Sequence, residues 1–121
     1  MNLAVNYAKP AVALALKKYV RDPKFIGTYT SALYLCWARS ICRAVEGLPP
    51  EALEDPVIKA ARTAYELLDV ELAKRLYAWY VKCTGRRLYK LGQRIGTGEL
   101  VVLDLTRGLP DPPDWPCPKD L

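Results

Sequence analysis

Residues 55–94 read DPVIKAARTAYELLDVELAKRLYAWYVKCTGRRLYKLGQR, and their reading decides the fold. Asp55-Pro56 is a helix start: Asp caps free N–H groups and Pro fits the first turn. No Gly or Pro follows until Gly85, where a C-terminal cap belongs. The stretch therefore predicts one helix of about 29 residues, roughly 43 Å at about 1.5 Å per residue. Its apolar residues occupy two sides. Val57, Ala61, Ala64, Leu68, Leu72, Trp79 and Cys83 share one face, while Val70, Tyr77 and Val81 lie nearly opposite. A helix apolar on two sides is buried on two sides, which makes a second subunit over Val70, Tyr77 and Val81 a natural candidate. The alternative is a half-exposed Tyr77 with Val81 against the N-terminal helix.

Charge is sorted along the same stretch. Residues 51–71 hold six acids (Glu51, Glu54, Asp55, Glu66, Asp69, Glu71) against Lys59 and Arg62. Residues 72–98 hold seven bases (Lys74, Arg75, Lys82, Arg86, Arg87, Lys90, Arg94) and no acid. That order suits the helix dipole, but seven uncompensated cations exceed what a dipole needs. A second basic block lies in residues 1–46, with Lys9, Lys17, Lys18, Arg21, Lys24, Arg39 and Arg43 against Asp22 and Glu46. The net charge is +5 and the pI about 9.1. Two basic blocks flanking an acidic one favour a polyanionic partner, nucleic acid first; plain solubility charge is the alternative.

With 121 residues, 51% of them apolar, the chain has one domain's worth of core-forming sequence. Residues 1–9 read as an N-terminal arm or frayed helix start. Pro10 opens a helix to about Arg21, ended by Asp22-Pro23. A second helix runs from Thr28 or Thr30 to Glu46, with Gly47 behind it, and carries Arg39 and Arg43 on one face. Arg86 to Leu91 reads as further helical turns after Gly85. Residues 99–106 are ambiguous between strand and buried helical turn, and with no partner strand evident they lean to helix or an extended packing segment. Residues 107–121, with five prolines between Gly108 and Pro118, form an extended arm carrying Trp115 as an anchor, used to clasp another chain or to lash its own core. The expected fold is all-α: a small helical bundle over residues 10–106 with one long helix and an arm at each end.

There is no histidine, and so no Ser-His or Cys-His pair and no usual general base. No Walker motif is present, and Gly96-x-Gly98 lacks the third glycine of a dinucleotide loop. Cys36, Cys42, Cys83 and Cys117 form no C-x-x-C pair, so a zinc site is not expected. Cys36, Cys42 and Cys83 fall on expected helices and read as buried small apolar residues, with disulfides open if the source is a hyperthermophile. The scarcity of thermolabile residues leans that way. No apolar run reaches the length of a spanning helix, and no signal peptide is visible. The expectation is a non-enzymatic binding or structural protein without cofactor, metal or small-molecule substrate. Lys82, Arg86 and Lys90 are spaced by four and form a row if the helix continues through Gly85. Arg87 and Arg94 lie on an adjacent face, with Lys74 and Arg75 nearby, and Lys17, Lys18, Arg21, Arg39 and Arg43 supply the second block. Such rows match phosphates without reading sequence.

Arg94-Ile95-Gly96-Thr97-Gly98, following a basic helix with Tyr80-Val81-Lys82, is similar to an Arg-Ile-Gly-x-Gly turn in rudivirus coat proteins. With the architecture of residues 10–106, the chain resembles the major capsid proteins of filamentous archaeal viruses of the rudivirus, lipothrixvirus and tristromavirus kind. The Pro-rich tail departs from the rudivirus pattern. The resemblance implies a virion coat subunit that pairs with itself or a paralogous subunit, wraps double-stranded DNA and holds it in A-form. Arg94 and the neighbouring basic row would line the lumen. A membrane envelope is compatible with it, a membrane-spanning segment is not. Two other readings stay open: a small subunit of an archaeal RNA-guided (CRISPR-type) defence complex, and a helical protein-interaction module.

Overall fold

The computed structural model describes residues 3–43, 47–86, 89–93, 96–98, 100–104 and 108–119. Its body is the small all-α bundle expected, with four α-helices among the described residues: α1 (Leu3–Leu16), α2 (Ile26–Arg39), α3 (Pro56–Leu67) and α4 (Val70–Thr84). Single 3-10 turns at Pro23–Phe25 and Pro50–Glu54 lead into α2 and α3.

The helix at the centre is α1, which packs on α4, α3 and α2 in decreasing extent. Ala4, Ala8, Ala11 and Ala15 are fully buried along it, and these small side chains let its neighbours approach closely. Val12 and Leu16 fill the spaces between them, both fully buried. The expected N-terminal arm is therefore mostly helix, and Pro10 lies inside α1 instead of opening it. A mid-helix proline deprives the Asn6 carbonyl of its usual N–H partner. Burial of Ala4, Val5 and Ala8 outweighs that loss.

The expected long helix is two helices. Leu68 adopts a left-handed conformation (φ 52°), and Asp69 caps α4 by accepting from the Leu72 N–H at 3.1 Å. The Asp69 N–H donates to the Ala64 carbonyl at 3.0 Å, closing the end of α3. A straight rod would extend far beyond the 14 residues of α1, leaving half its apolar face uncovered. Folding at Leu68 lays both halves on α1. The corner leaves Leu67 and Leu68 outside, 70% and 55% exposed.

Helix α2 ends earlier than expected, at Ser40 (φ 57°), where the Ile41 N–H reaches back to the Leu35 carbonyl at 2.9 Å. Cys42 and Arg43 thus lie beyond it, and Arg39 and Arg43 do not share a helix face. Cys42 is joined to Cys36 by a disulfide, and Cys83 in α4 to Cys117 in the C-terminal arm. The buried-thiol expectation is replaced by two bridges.

After α4 the chain departs from the helical expectation. Gly85 (φ 67°) ends the helix, its N–H on the Val81 carbonyl at 2.7 Å. Residues Tyr89–Gln93 (β1) then pair antiparallel with Leu100–Asp104 (β2), in a register from Tyr89 opposite Asp104 to Gln93 opposite Leu100. The missing partner strand for 100–104 is the segment whose pattern predicts continuing helix.

Residues 108–119 run without regular structure along the bundle. The Trp79 indole N–H donates to the Trp115 carbonyl at 2.9 Å, and the two rings meet edge-on at 6.4 Å. The arm lashes its own core, so Trp115 holds the subunit together from within. Tyr77 is likewise fully buried inside the chain, edge-on to Tyr7 and stacked with Tyr80. Val70 and Val81 are half-buried. Helix α4 is two-sided because α1, α3 and the arm enclose it, so Val70, Tyr77 and Val81 do not require a second subunit.

Among the described residues one buried side-chain group is left unmatched. Tyr65 is 1% exposed between Tyr34 and Trp37, and its hydroxyl has no hydrogen-bond partner. Burial pushes its ionisation far above the usual tyrosine range. Replacing Tyr65 with Phe is expected to raise stability by about 1 kcal/mol, because an unsatisfied buried hydroxyl is removed at nearly constant shape. A urea midpoint below that of the parent would show that the hydroxyl is satisfied after all.

Candidate nucleic-acid interface

Helices α1 and α4 run in the same direction: Tyr7 meets Tyr77, and further along Leu14 and Lys17 line one cleft with Tyr80, Thr84 and Arg86. Their C-terminal ends consequently lie together. Each end carries the negative end of the helix dipole, where cations are favoured. Lys17 follows α1 and Arg86 follows α4, and they rim this cleft of about 290 Å³. Its walls are Pro10, Ala13, Leu14 and Ile26 on one side, Tyr80 and Thr84 on the other. A neighbouring cleft of about 430 Å³ shares Lys17 and adds Lys18, Pro116 and Lys119.

No local pattern relates Lys119 to this place. It arrives because the Cys83–Cys117 bridge pins the arm to the last turn of α4. The Pro116 carbonyl also accepts from the Lys18 ammonium at 3.4 Å. Lys18 belongs to the framework for a second reason: its ammonium pairs with Asp55 at 3.5 Å. Asp55, 4% exposed, accepts from the Val57 and Ile58 N–H groups with one oxygen and from the Tyr19 hydroxyl, at 2.6 Å, with the other. Desolvation, then the hydrogen bond to the Asp55 carboxylate, pushes the Tyr19 phenol up to about 12. The carboxylate is thus fully used locally, and Lys18 is held in place to serve it.

The remaining expected contacts divide by position. Arg75 and Lys82 project outward from one face of α4, two turns apart. Lys74 is half-buried and 3.8 Å from Glu71. Arg21 and Arg43 are exposed but lie on separate connections. Arg39 donates to the Tyr34 hydroxyl at 3.1 Å and lies 6.0 Å from its ring centroid, with Lys9 over the same ring at 5.3 Å. The expected row of Lys82, Arg86 and Lys90 is broken, since α4 stops at Thr84 and Lys90 belongs to β1. Arg87 and Arg94 lie outside the described residues. Among the described residues, Lys17, Arg75, Lys82, Arg86 and Lys119 are in no ion pair, and neither are Lys9, Arg21, Arg39 and Arg43, which lie elsewhere on the surface.

No protein-family model, curated protein or solved structure matches the chain.

Among the described residues no cluster of three or more His, Cys, Asp or Glu is placed to hold a metal ion, and no helix is long and apolar enough to cross a membrane. The clefts are shallow, basic and lined by helix ends. They offer point charges, hydroxyls and apolar wall to a ligand, an arrangement suited to holding a polyanion.

Proposed function

We propose that this protein binds nucleic acid through its phosphates, without reading base sequence, using the end of the bundle formed by Lys17, Lys82, Arg86 and Lys119 with Arg75 beside it. The observation that carries this reading is the convergence of cations outside any ion pair from three distant segments, the ends of α1 and α4 and the C-terminal arm. Charge kept only for solubility gains nothing from such clustering, because like charges repel. In its narrower form, the protein is a structural coat subunit that oligomerises around double-stranded DNA in a filamentous virion. The two disulfides suit a protein that leaves the reducing cell interior within a particle, or one from a hyperthermophile.

Replacing Lys17, Lys82 and Arg86 together with Gln is expected to weaken duplex binding. It should also flatten the slope of log affinity against log salt by about 0.9 for each phosphate that the variant no longer neutralises. An unchanged slope removes these residues from the interface. Electron microscopy of the protein with linear duplex DNA tests the narrower form: regular filaments are expected. Binding that yields only small discrete complexes would sink the coat subunit and leave the phosphate interface standing. Copurification with larger partners around a guide RNA would favour the defence-complex reading.

A further inference from the structure

The solvent-facing stripe of α1 has a pattern that phosphate binding alone does not use. Asn6 and Lys9 are exposed at one end of it and Lys17 at the other. Between the two lysines lie Pro10 and Ala13, which line the Lys17–Arg86 cleft on one side. On the other side they line a second shallow groove of about 380 Å³ with Lys9, Thr30 and Ser31. The two concavities therefore meet across Pro10 and Ala13. Lys9 and Lys17 stand about 12 Å apart along the helix, a few nucleotides of an extended strand.

We infer that this continuous groove over α1 is a track for an unpaired strand of nucleic acid, with phosphates on Lys9 and Lys17 and a base in the apolar stretch between them. The reason lies in the chemistry of the middle. A duplex meets a concave surface with its sugar-phosphate backbone and keeps its base faces stacked inside, so it has no base face to place on Pro10, Ala13, Leu14 and Ile26. An unpaired base has an apolar face that gains from such a surface, and Tyr80 adds an aromatic wall. Ser31, exposed beside the second groove, adds a hydroxyl able to bond a phosphate or a base edge. Thr30, buried, and Thr84 donate to the Ile26 and Tyr80 carbonyls at 2.7 and 2.8 Å, and the Thr84 oxygen also accepts from the Arg86 N–H at 3.1 Å, so both hydroxyls serve the backbone. The track shares Lys17, Arg86, Pro10 and Ala13 with the proposed phosphate-binding end and to that extent rests on it; Lys9 and Ser31 are its own.

The experiment compares fluorescence anisotropy of a labelled oligothymidylate and a labelled duplex of the same length, at one salt concentration, with the full disulfide-bonded chain. Ala13→Trp fills the middle of the groove from the exposed side of α1. It is expected to lower oligothymidylate affinity by about tenfold, the effect of removing one stacked base, and to lower duplex affinity by a smaller factor, because Ala13 also walls the Lys17–Arg86 cleft. Lys9→Gln, which leaves the buried core untouched, should weaken the single strand by about threefold and spare the duplex. Equal losses for both ligands, or no loss with either variant, would overturn the track. Tight duplex binding without single-strand binding overturns it as well and leaves the phosphate reading intact, whereas binding of neither ligand ends both.

Discussion

Replacing Cys83 and Cys117 together with Ser is expected to lower the free energy of unfolding by about 3–4 kcal/mol, the loop-closure effect of a bridge spanning 34 residues. That is a large share of the total stability of a domain this size. The bridge matters here because the segment it holds cannot hold itself. Residues 108–119 have no regular structure, and their attachments beyond the bridge include the Trp115 carbonyl on the Trp79 indole, the edge contact between the two rings and the Lys18–Pro116 hydrogen bond. Without the bridge those contacts must offset the entropy of ordering the arm on their own. Trp79, now fully buried, loses part of its cover when the arm departs. The measurement is urea denaturation of the parent and of the double variant, read by tryptophan fluorescence. A midpoint within experimental error of the parent would show that the tryptophan pair suffices. Reduction of the parent breaks both bridges and should destabilise further, with the Cys36–Cys42 bridge, at a sequence separation of 6, adding about 2 kcal/mol to the loss.

Asp55→Ala is the second large effect, about 3 kcal/mol, from a lost N-cap together with stranded partners. Asp55 is nearly inaccessible and serves four donors at once: the Val57 and Ile58 N–H groups, the Tyr19 hydroxyl and the Lys18 ammonium. Removing it uncaps α3 and leaves Tyr19 and Lys18 without the acceptor that ties the end of α1 to the start of α3. Asp55→Asn keeps an acceptor for the cap and should lose less than half as much. Combining Asp55→Ala with Tyr19→Phe tests the coupling directly. The double variant should be more stable than the two single losses summed, because with the carboxylate gone the hydroxyl has nothing to donate to. Strict additivity would mean that the Tyr19–Asp55 hydrogen bond carries no net stability.

The elements best read from the sequence are those whose cause is local. Asp55-Pro56 starts a helix in the structure as in the pattern, and Gly85 ends one, because a capping carboxylate and a left-handed glycine act within a few residues of themselves. The break at Leu68 is hidden because its conformation is one that leucine adopts at a cost of about 1–2 kcal/mol, so no residue type announces it. The local signal that exists is Asp69, a capping residue in the middle of an apolar run. The ribbon of β1 and β2 is hidden for another reason. Neither strand is convincing alone, and each takes its geometry from the other.

The candidate site divides the same way. Charge sorting along residues 72–98 marks Lys82 and Arg86, and the end of α1 marks Lys17. Lys119 goes unmarked, since nothing near Pro118 in sequence relates it to α4. The pairing of Lys18 with Asp55 goes unmarked as well, because it spans 37 residues. Tyr77 and Trp115 look like surfaces awaiting another chain, and both are used up within this one.

By itself the sequence determined the helical class, the start of a helix at Asp55-Pro56, the absence of histidine chemistry and the excess of cations in two blocks. These follow from composition and from interactions between residues a few places apart. Only the tertiary structure decided that α1 is the central helix, that the long rod folds back at Leu68, that the arm closes on its own bundle, and which lysines and arginines gather outside any ion pair at one end. Each of those depends on which surfaces meet, and buried area is shared between segments tens of residues apart, a quantity no local pattern carries.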